Sequence, residues 1–152
     1  MSHETAPLSQ PLYGASLPQA VARFFRKYAT FSGRASRSEY WWMWLAQFVV
    51  GLIPNALISA GGGYDFSYLT TGGTAPSSPL LTVGYLLSAI ITLATFIPAL
   101  AILWRRLHDA NLAGPMFFLG FIPFVGPIIL LVMLLQGSKP EGARFDERPT
   151  AA

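Results

Sequence analysis

The sequence predicts an all-α fold: a polytopic transmembrane helical bundle of three spans, the third kinked or re-entrant, preceded by an amphipathic interfacial helix. Three observations predict it. Only 11% of the 152 residues are charged, against 53% hydrophobic, whereas a soluble domain carries about 25% charge. The charges are also segregated. No Asp, Glu, Lys or Arg falls in residues 40–64, 66–104 or 110–138, together 93 of the 152 residues, and a bilayer-crossing helix needs about 20 apolar residues. Finally, Tyr40, Trp41, Trp42 and Trp44 crowd the start of the first run, as aromatic residues do at headgroup level.

Residues 1–15 are polar, contain Pro7, Pro11 and Gly14, and read as a mobile N-terminal tail. The membrane domain spans 16–136. It opens with a helix over 17–30, in which Ser16 and Gln19 have capping-box spacing and Pro18 suits the first turn. Val21, Phe24, Phe25 and Tyr28 recur at helical spacing, with Arg23, Arg26 and Lys27 on the other side. Such a helix suits a membrane surface or the protein's own helices. A second capping box, Ser36 to Glu39, opens the first span at about 40–60, which contains Pro54. Residues 61–79 form a loop rich in Gly, Ser, Thr and Pro, with one acid, Asp65, and no Lys or Arg. The second span lies within 80–104. Its Ser88, Thr92 and Thr95 are expected on one face for helix packing, Pro98 is expected to kink it, and Arg105 and Arg106 end it. The third apolar stretch, about 113–136, is punctuated by Gly114, Pro115, Gly120, Pro123, Gly126 and Pro127. It fits one kinked crossing, favoured by its length, or two half-length helices entering and leaving by one face, shielded by protein. Residues 137–152 are expected to be a loose polar tail.

Five basic residues precede the first span, none lies in the 61–79 loop, and two follow the second span. That asymmetry places the N-terminus and the 105–111 turn in the cytoplasm. No apolar core lies in the first 16 residues, so the first span is expected to act as an uncleaved anchor. The basic residues flank apolar runs and form no aromatic-interleaved stripe, which argues against nucleic acid as a partner despite a net charge of +3. With no cysteine, thiolate metal sites and thiol nucleophiles are excluded.

Residues 31–42, Phe-Ser-Gly-Arg-Ala-Ser-Arg-Ser-Glu-Tyr-Trp-Trp, resemble the opening signature of the domain of unknown function 805 family, small bacterial inner-membrane proteins. Arg105-Arg106-Leu107-His108-Asp109 is similar to its second signature, and 122–126 and 137–142 to its closing region. The resemblance covers roughly residues 20–145. It implies a bacterial inner (plasma) membrane location and a helical bundle, and no biochemical activity. Ala143 stands where the family usually has asparagine, Asp146 where it has a last glycine, and residues 112–115 replace a more usual Ser-Gly-Trp.

The candidate site is a set of ionisable groups expected at one membrane face: Arg34, Arg37, Glu39, Arg105, Arg106, His108 and Asp109. Glu39 fits its capping box and also a partner role for Arg105 or Arg106, so Glu39 and Arg105 are expected to be coupled. The arginines fit topology and headgroup contact or a pocket for phosphate or carboxylate, which guanidinium binds bidentately. Asp109 lies four residues after Arg105, a local helical pair. His108 fits a solvated interfacial residue or a proton shuttle. Ligand supply argues against a metal site, and no catalytic residue or cofactor site is expected. Three function classes follow. The favoured one is a non-enzymatic membrane module that binds the lipid bilayer, an anionic lipid headgroup, a membrane protein partner or itself as a homo-oligomer. The others are an oligomeric channel or small-solute permease, which lacks the mid-depth charges of coupled transporters, and a headgroup-modifying enzyme using Glu39, His108 and Asp109.

Overall fold

The computed structural model describes residues 6–146; residues 1–5 and 147–152 lie outside it, including the first third of the expected N-terminal tail and Glu147 and Arg148 of the C-terminal one. The described chain is all-helical. Its α-helices are α1 (Leu17–Arg26), α2 (Arg37–Ala60), the short α3 (Tyr68–Thr71), α4 (Pro79–Asp109) and α5 (Gly126–Leu135). Two 3₁₀ helices cover Gly114–Phe121 and Pro140–Phe145. The chain divides into two compact units, Leu45–Phe96 and the remainder, 1–44 with 97–152.

Two helices are long and apolar enough to cross a membrane, α2 with 24 residues and α4 with 31. At about 1.5 Å per residue, 24 residues already exceed a hydrocarbon core of about 30 Å. Only 17% of the most apolar window of each is buried, unlike the core helix of a soluble protein. Both run through their internal prolines, Pro54 and Pro98, without interruption. Ser36 and Glu39 cap α2 reciprocally. The Ser36 amide donates to Glu39 Oε2 at 2.9 Å and the Glu39 amide to Ser36 Oγ at 3.2 Å.

In the unit Leu45–Phe96, α2 and α4 pack closely because Gly84 has no side chain. A Cβ there would lie 2.7 Å from Ile58 Cγ1 and 3.1 Å from the Pro54 carbonyl oxygen. The inner face of α4 here is Leu81, Gly84, Ser88, Ile91 and Thr95, at helical spacing. Thr92, expected on that face, is exposed, and Thr95 Oγ1 donates back to Ile91 O at 2.8 Å. Phe48, Ile53, Leu86, Ile90 and Leu93 point outward, as lipid-facing residues do.

In the other unit, the stretch after α4 does not form the one kinked helix that its length favoured. The 3₁₀ helix Gly114–Phe121 and α5 pack on each other as a hairpin, turning at residues 122–125. Gly126 makes the turn possible: a Cβ there would come within 2.4 Å of Leu119 O. Neither arm, at 8 and 10 residues, reaches much beyond about half a hydrocarbon core. The chain then returns to the end of α4, where the Lys139 amide donates to Asp109 O at 2.8 Å.

The flanking segments also depart from the expected loose tails. Within residues 6–15, Pro11 and Ala15 are buried, and the Ala15 amide donates to Ser38 Oγ at 2.9 Å. Residues 140–145 coil into a 3₁₀ turn that seats Gly142 on the His108 carbonyl. Low hydropathy hides such packing, because polar backbone groups make the contacts.

α1 turns a mixed face inward. Ala20, Arg23, Phe24 and Lys27 are buried, while Leu17, Phe25 and Tyr28 are 40%, 51% and 40% exposed. Of the expected apolar stripe, only Phe24 is buried; two of the three basic residues go in with it.

Candidate functional site

Glu39, 3% exposed, is the first centre of the site. Its partner is Arg23, not Arg105 or Arg106: Arg23 Nε lies 2.5 Å from Glu39 Oε1. Glu39 Oε2 accepts the amides of Leu12 at 3.1 Å and Ser36 at 2.9 Å. The rest of the Arg23 guanidinium donates to backbone carbonyls of the N-terminal strap, Ala6 at 2.9 Å and also Gln10. One buried ion pair thus joins α1, α2 and residues 6–12.

Asp109 is the second centre, and it is fully buried with Arg106. Its partner is Arg106, three residues back, and not Arg105, four back. Arg106 Nη1 donates to Asp109 Oδ2 at 2.7 Å, Nε donates to Leu134 O at 3.1 Å, and Nη2 donates to Gln136 O. The Arg106 guanidinium therefore neutralises Asp109 and holds the last carbonyls of α5. The Ser138 hydroxyl donates to Asp109 Oδ2 at 2.5 Å and the Tyr13 hydroxyl to Oδ1 at 3.0 Å. Partial burial and then the Asp109 charge raise the Tyr13 phenol above its ordinary pKa.

Arg105 is 2% exposed. Its Nε donates to Ala101 O at 3.2 Å and its carbonyl accepts the Ala35 amide at 3.0 Å, fastening the segment before α2 to α4. His108 is buried, not solvated. Its Nδ1 lies 3.0 Å from Gly33 O, and since a carbonyl only accepts, Nδ1 carries a proton. The imidazole stacks on Phe145, centroids 4.0 Å apart and planes within 6°.

Arg34 binds Asp146 bidentately, Nε at 2.9 Å from Oδ1 and Nη2 at 2.6 Å from Oδ2. That hydrogen bonding raises the Arg34 pKa above its usual value. Asp146 is thus the anchor of the C-terminal segment, and the Gly33 amide donates to Phe145 O at 2.8 Å beside it. Arg37 is the exposed member of the seven. It lines a cavity of about 270 Å³ with Tyr13, Ser36, Ser38 and Ser138.

The structure therefore brings six of the seven candidates into one buried or half-buried network and leaves Arg37 at its edge. Sequence reasoning missed Arg23, Tyr13, Ser138, Phe145 and Asp146. Arg23 carried one usable signal, its place one turn before Lys27 on the face that α1 buries. The others lie 29 to 112 residues from their partners, and no local pattern announces them. Chemically, a network in which each buried carboxylate is held by an arginine and further donors is built to lock segments together. Among the described residues, no three His, Asp or Glu side chains converge as metal ligands would.

Two long apolar helices with outward-facing apolar side chains, a short apolar hairpin and a charged clasp define a small integral membrane protein of helical type. The chain belongs to the family described as "Protein of unknown function (DUF805)", whose model matches residues 28–147. It is similar to inner membrane protein YhaI of Escherichia coli K12, 35% identical over 124 residues, covering 82% of this chain and 89% of the relative. It is also similar to inner membrane protein YhaH of the same strain, 30% identical over 131 residues, covering 84% and 93%. No solved structure matches it. The protein is an inner-membrane protein.

Proposed function

We propose that the protein is a non-enzymatic module of the inner membrane that engages anionic lipid headgroups at its cytoplasmic face. In this reading α2 and α4 cross the bilayer, and the hairpin of residues 114–135 enters and leaves from the cytoplasmic side. The clasp of Arg23, Glu39, Arg106 and Asp109 holds α1, both spans and both flanking segments at that face. The basic residues bracketing the spans support this orientation.

The observation that carries the reading is the outward turn of α1. Leu17, Phe25 and Tyr28 are exposed while Arg23 and Lys27 point in, the reverse of a helix facing water and the arrangement of one lying in the bilayer interface. Arg26 and Arg37, both exposed, stand available to anionic headgroups, each worth about 1 kcal/mol near such a surface. The engaged state of the other charges argues against a catalytic acid–base role for Glu39 and Asp109. Neither carboxylate faces an open site.

A cysteine at Phe25, labelled with an environment-sensitive dye in lipid nanodiscs, tests this. Lipids brominated near the headgroup should quench the dye strongly and aqueous iodide weakly, with deeper immersion as the anionic lipid fraction rises. Full iodide access with no quenching by brominated lipid would refute it.

A further inference from the structure

We infer that the hairpin of residues 114–135, together with α1, makes the protein sensitive to membrane curvature: it displaces lipid from the cytoplasmic leaflet alone and favours bilayers in which that leaflet is convex. The inference rests on the reading in which the hairpin enters and leaves from the cytoplasmic side.

The hairpin is suited to hydrocarbon in its side chains and in its backbone. Residues 112–135 contain no polar or charged side chain. In the turn, the Ile122, Val125 and Gly126 amides donate to Leu119 O, Pro123 O and Ile122 O at 3.1, 2.8 and 2.9 Å. Pro123 and Pro127 have no N–H to satisfy. Irregular backbone at membrane depth has no water to turn to, so it must meet this condition. Phe124, at the tip, is 92% exposed. Its φ is +65°, a conformation rare for a bulky residue. The backbone is therefore strained to present a phenyl ring that the chain itself leaves uncovered. Acyl chains are the surroundings in which such a ring is stable.

The arms reach one leaflet deep. The 3₁₀ arm has 8 residues and α5 has 10. At about 2.0 and 1.5 Å per residue, each is roughly 15 Å long, about half of a hydrocarbon core. Both bases are fixed to the end of α4. The Leu112 amide donates to Leu107 O at 2.9 Å before the first arm, and Arg106 holds the Leu134 and Gln136 carbonyls at the end of the second. α1 belongs to the same compact unit and turns Leu17, Phe25 and Tyr28 outward, which lays it in the interface of the same leaflet. At headgroup level that leaflet makes room for α1 and two arms, and at mid-bilayer for a single turn. α2 and α4 take area from both leaflets. The extra area falls from the headgroups inward, as in a wedge, and a convex leaflet accommodates it best; interfacial helices are curvature-sensitive for the same reason.

The test pulls narrow tubes from giant vesicles that hold the full chain. Single cysteines at Glu141 or Ser67 are labelled from outside with a membrane-impermeant fluorescent thiol reagent. The Glu141 label marks molecules whose cytoplasmic face points outward, and the Ser67 label marks the reverse orientation. Glu141-labelled molecules should be enriched on the tube over the parent vesicle, and Ser67-labelled molecules depleted. The variant Phe121→Ser/Phe124→Asn changes two exposed residues, and asparagine suits the positive φ, so it should fold normally. It should shrink both effects, because a polar tip draws the arms out of the hydrocarbon and fewer lipids are displaced. Absence of sorting in both populations, or a tip variant that sorts like the natural chain, overturns the inference without touching the topology. Sorting of the same sign by both labels puts the two positions on one face, and then the returning hairpin and this inference fail together. Efficient cross-linking between copies through Phe124→Cys, without sorting, assigns the tip to a second copy of the chain and also overturns it.

Discussion

Glu39→Gln removes one charge and almost no volume, yet it is expected to be among the most damaging single substitutions in the chain. Both carboxylate oxygens face donors: Oε1 faces Arg23 Nε, and Oε2 faces the Leu12 and Ser36 amides. A glutamine presents one acceptor and one NH₂ group. In one orientation the NH₂ opposes the Arg23 N–H; in the other it opposes two backbone amides. Either way at least one charge-assisted hydrogen bond, worth about 1.5–3 kcal/mol, is lost. Arg23, 7% exposed, is also left as a buried cation without its carboxylate, and breaking a buried pair by removing one partner costs about 3–5 kcal/mol. For a chain of this length 1 kcal/mol moves the thermal midpoint by roughly 2–4 °C, so a loss of about 3 kcal/mol lowers it by roughly 6–12 °C. The assay is thermal unfolding in detergent of Glu39→Gln, Arg23→Gln and the double variant. The pair should couple by about 1–3 kcal/mol, more strongly than Glu39 couples to Arg105 in the parallel cycle with Arg105→Gln. A Glu39→Gln loss below about 1 kcal/mol, or Arg23 and Glu39 losses additive within about 0.5 kcal/mol, would refute the assignment of Arg23 as the partner.

Three further outcomes are expected. Gly142→Ala should destabilise by about 1–3 kcal/mol, because its Cβ would meet the His108 carbonyl oxygen at 2.5 Å and backbone would have to move; thermal unfolding checks this. Gly84→Ala should cost a similar amount, about 1–3 kcal/mol, by wedging α2 from α4 at Ile58, and cross-linking of cysteines on the two helices should weaken with it. Tyr13 gives a pH signature. Its folded-state pKa is raised by burial and by Asp109, so its contribution is fully present below the ordinary tyrosine pKa of about 10 and is lost as pH rises through the folded value. Wild type should lose stability in that alkaline window, and Tyr13→Phe should lack this step.

Much of the fold was legible in the sequence because membrane insertion writes itself in composition. The charge-free runs located α2 and α4, and the Ser36–Glu39 spacing gave the cap that forms. The third apolar run was harder. Its length fits one crossing, and only the density of Gly and Pro from Gly114 to Pro127 hinted at a hairpin. What decides the matter is tertiary: Arg106 takes the carbonyls of Leu134 and Gln136 and draws the end of α5 back to the end of α4. The site was legible as a set of residues and misread as a set of pairs. Glu39 with Arg23 and Asp109 with Arg106 replace the expected partners, and Arg34, for which no partner was expected, pairs with Asp146, because pairing depends on which helix face is buried. Residues 6–15 read as a tail since they offer few apolar side chains, yet the Ala6 and Gln10 carbonyls and the Leu12 amide are what Arg23 and Glu39 bind.

The central claim, a two-span protein whose hairpin returns the chain to the cytoplasmic face, is tested most directly by cysteine accessibility. The natural chain has no cysteine, and Ser67, Ala113 and Glu141 are exposed; Glu141 is preferred to Ser138, whose hydroxyl binds Asp109. Single cysteines at these positions are treated in intact cells with a membrane-impermeant thiol reagent, then again after permeabilisation. The account predicts that the Ser67 position labels in intact cells, and that the Ala113 and Glu141 positions label only after permeabilisation. Labelling of the Glu141 position from outside while the Ala113 position stays protected would mean that the hairpin segment crosses the membrane, and would contradict it.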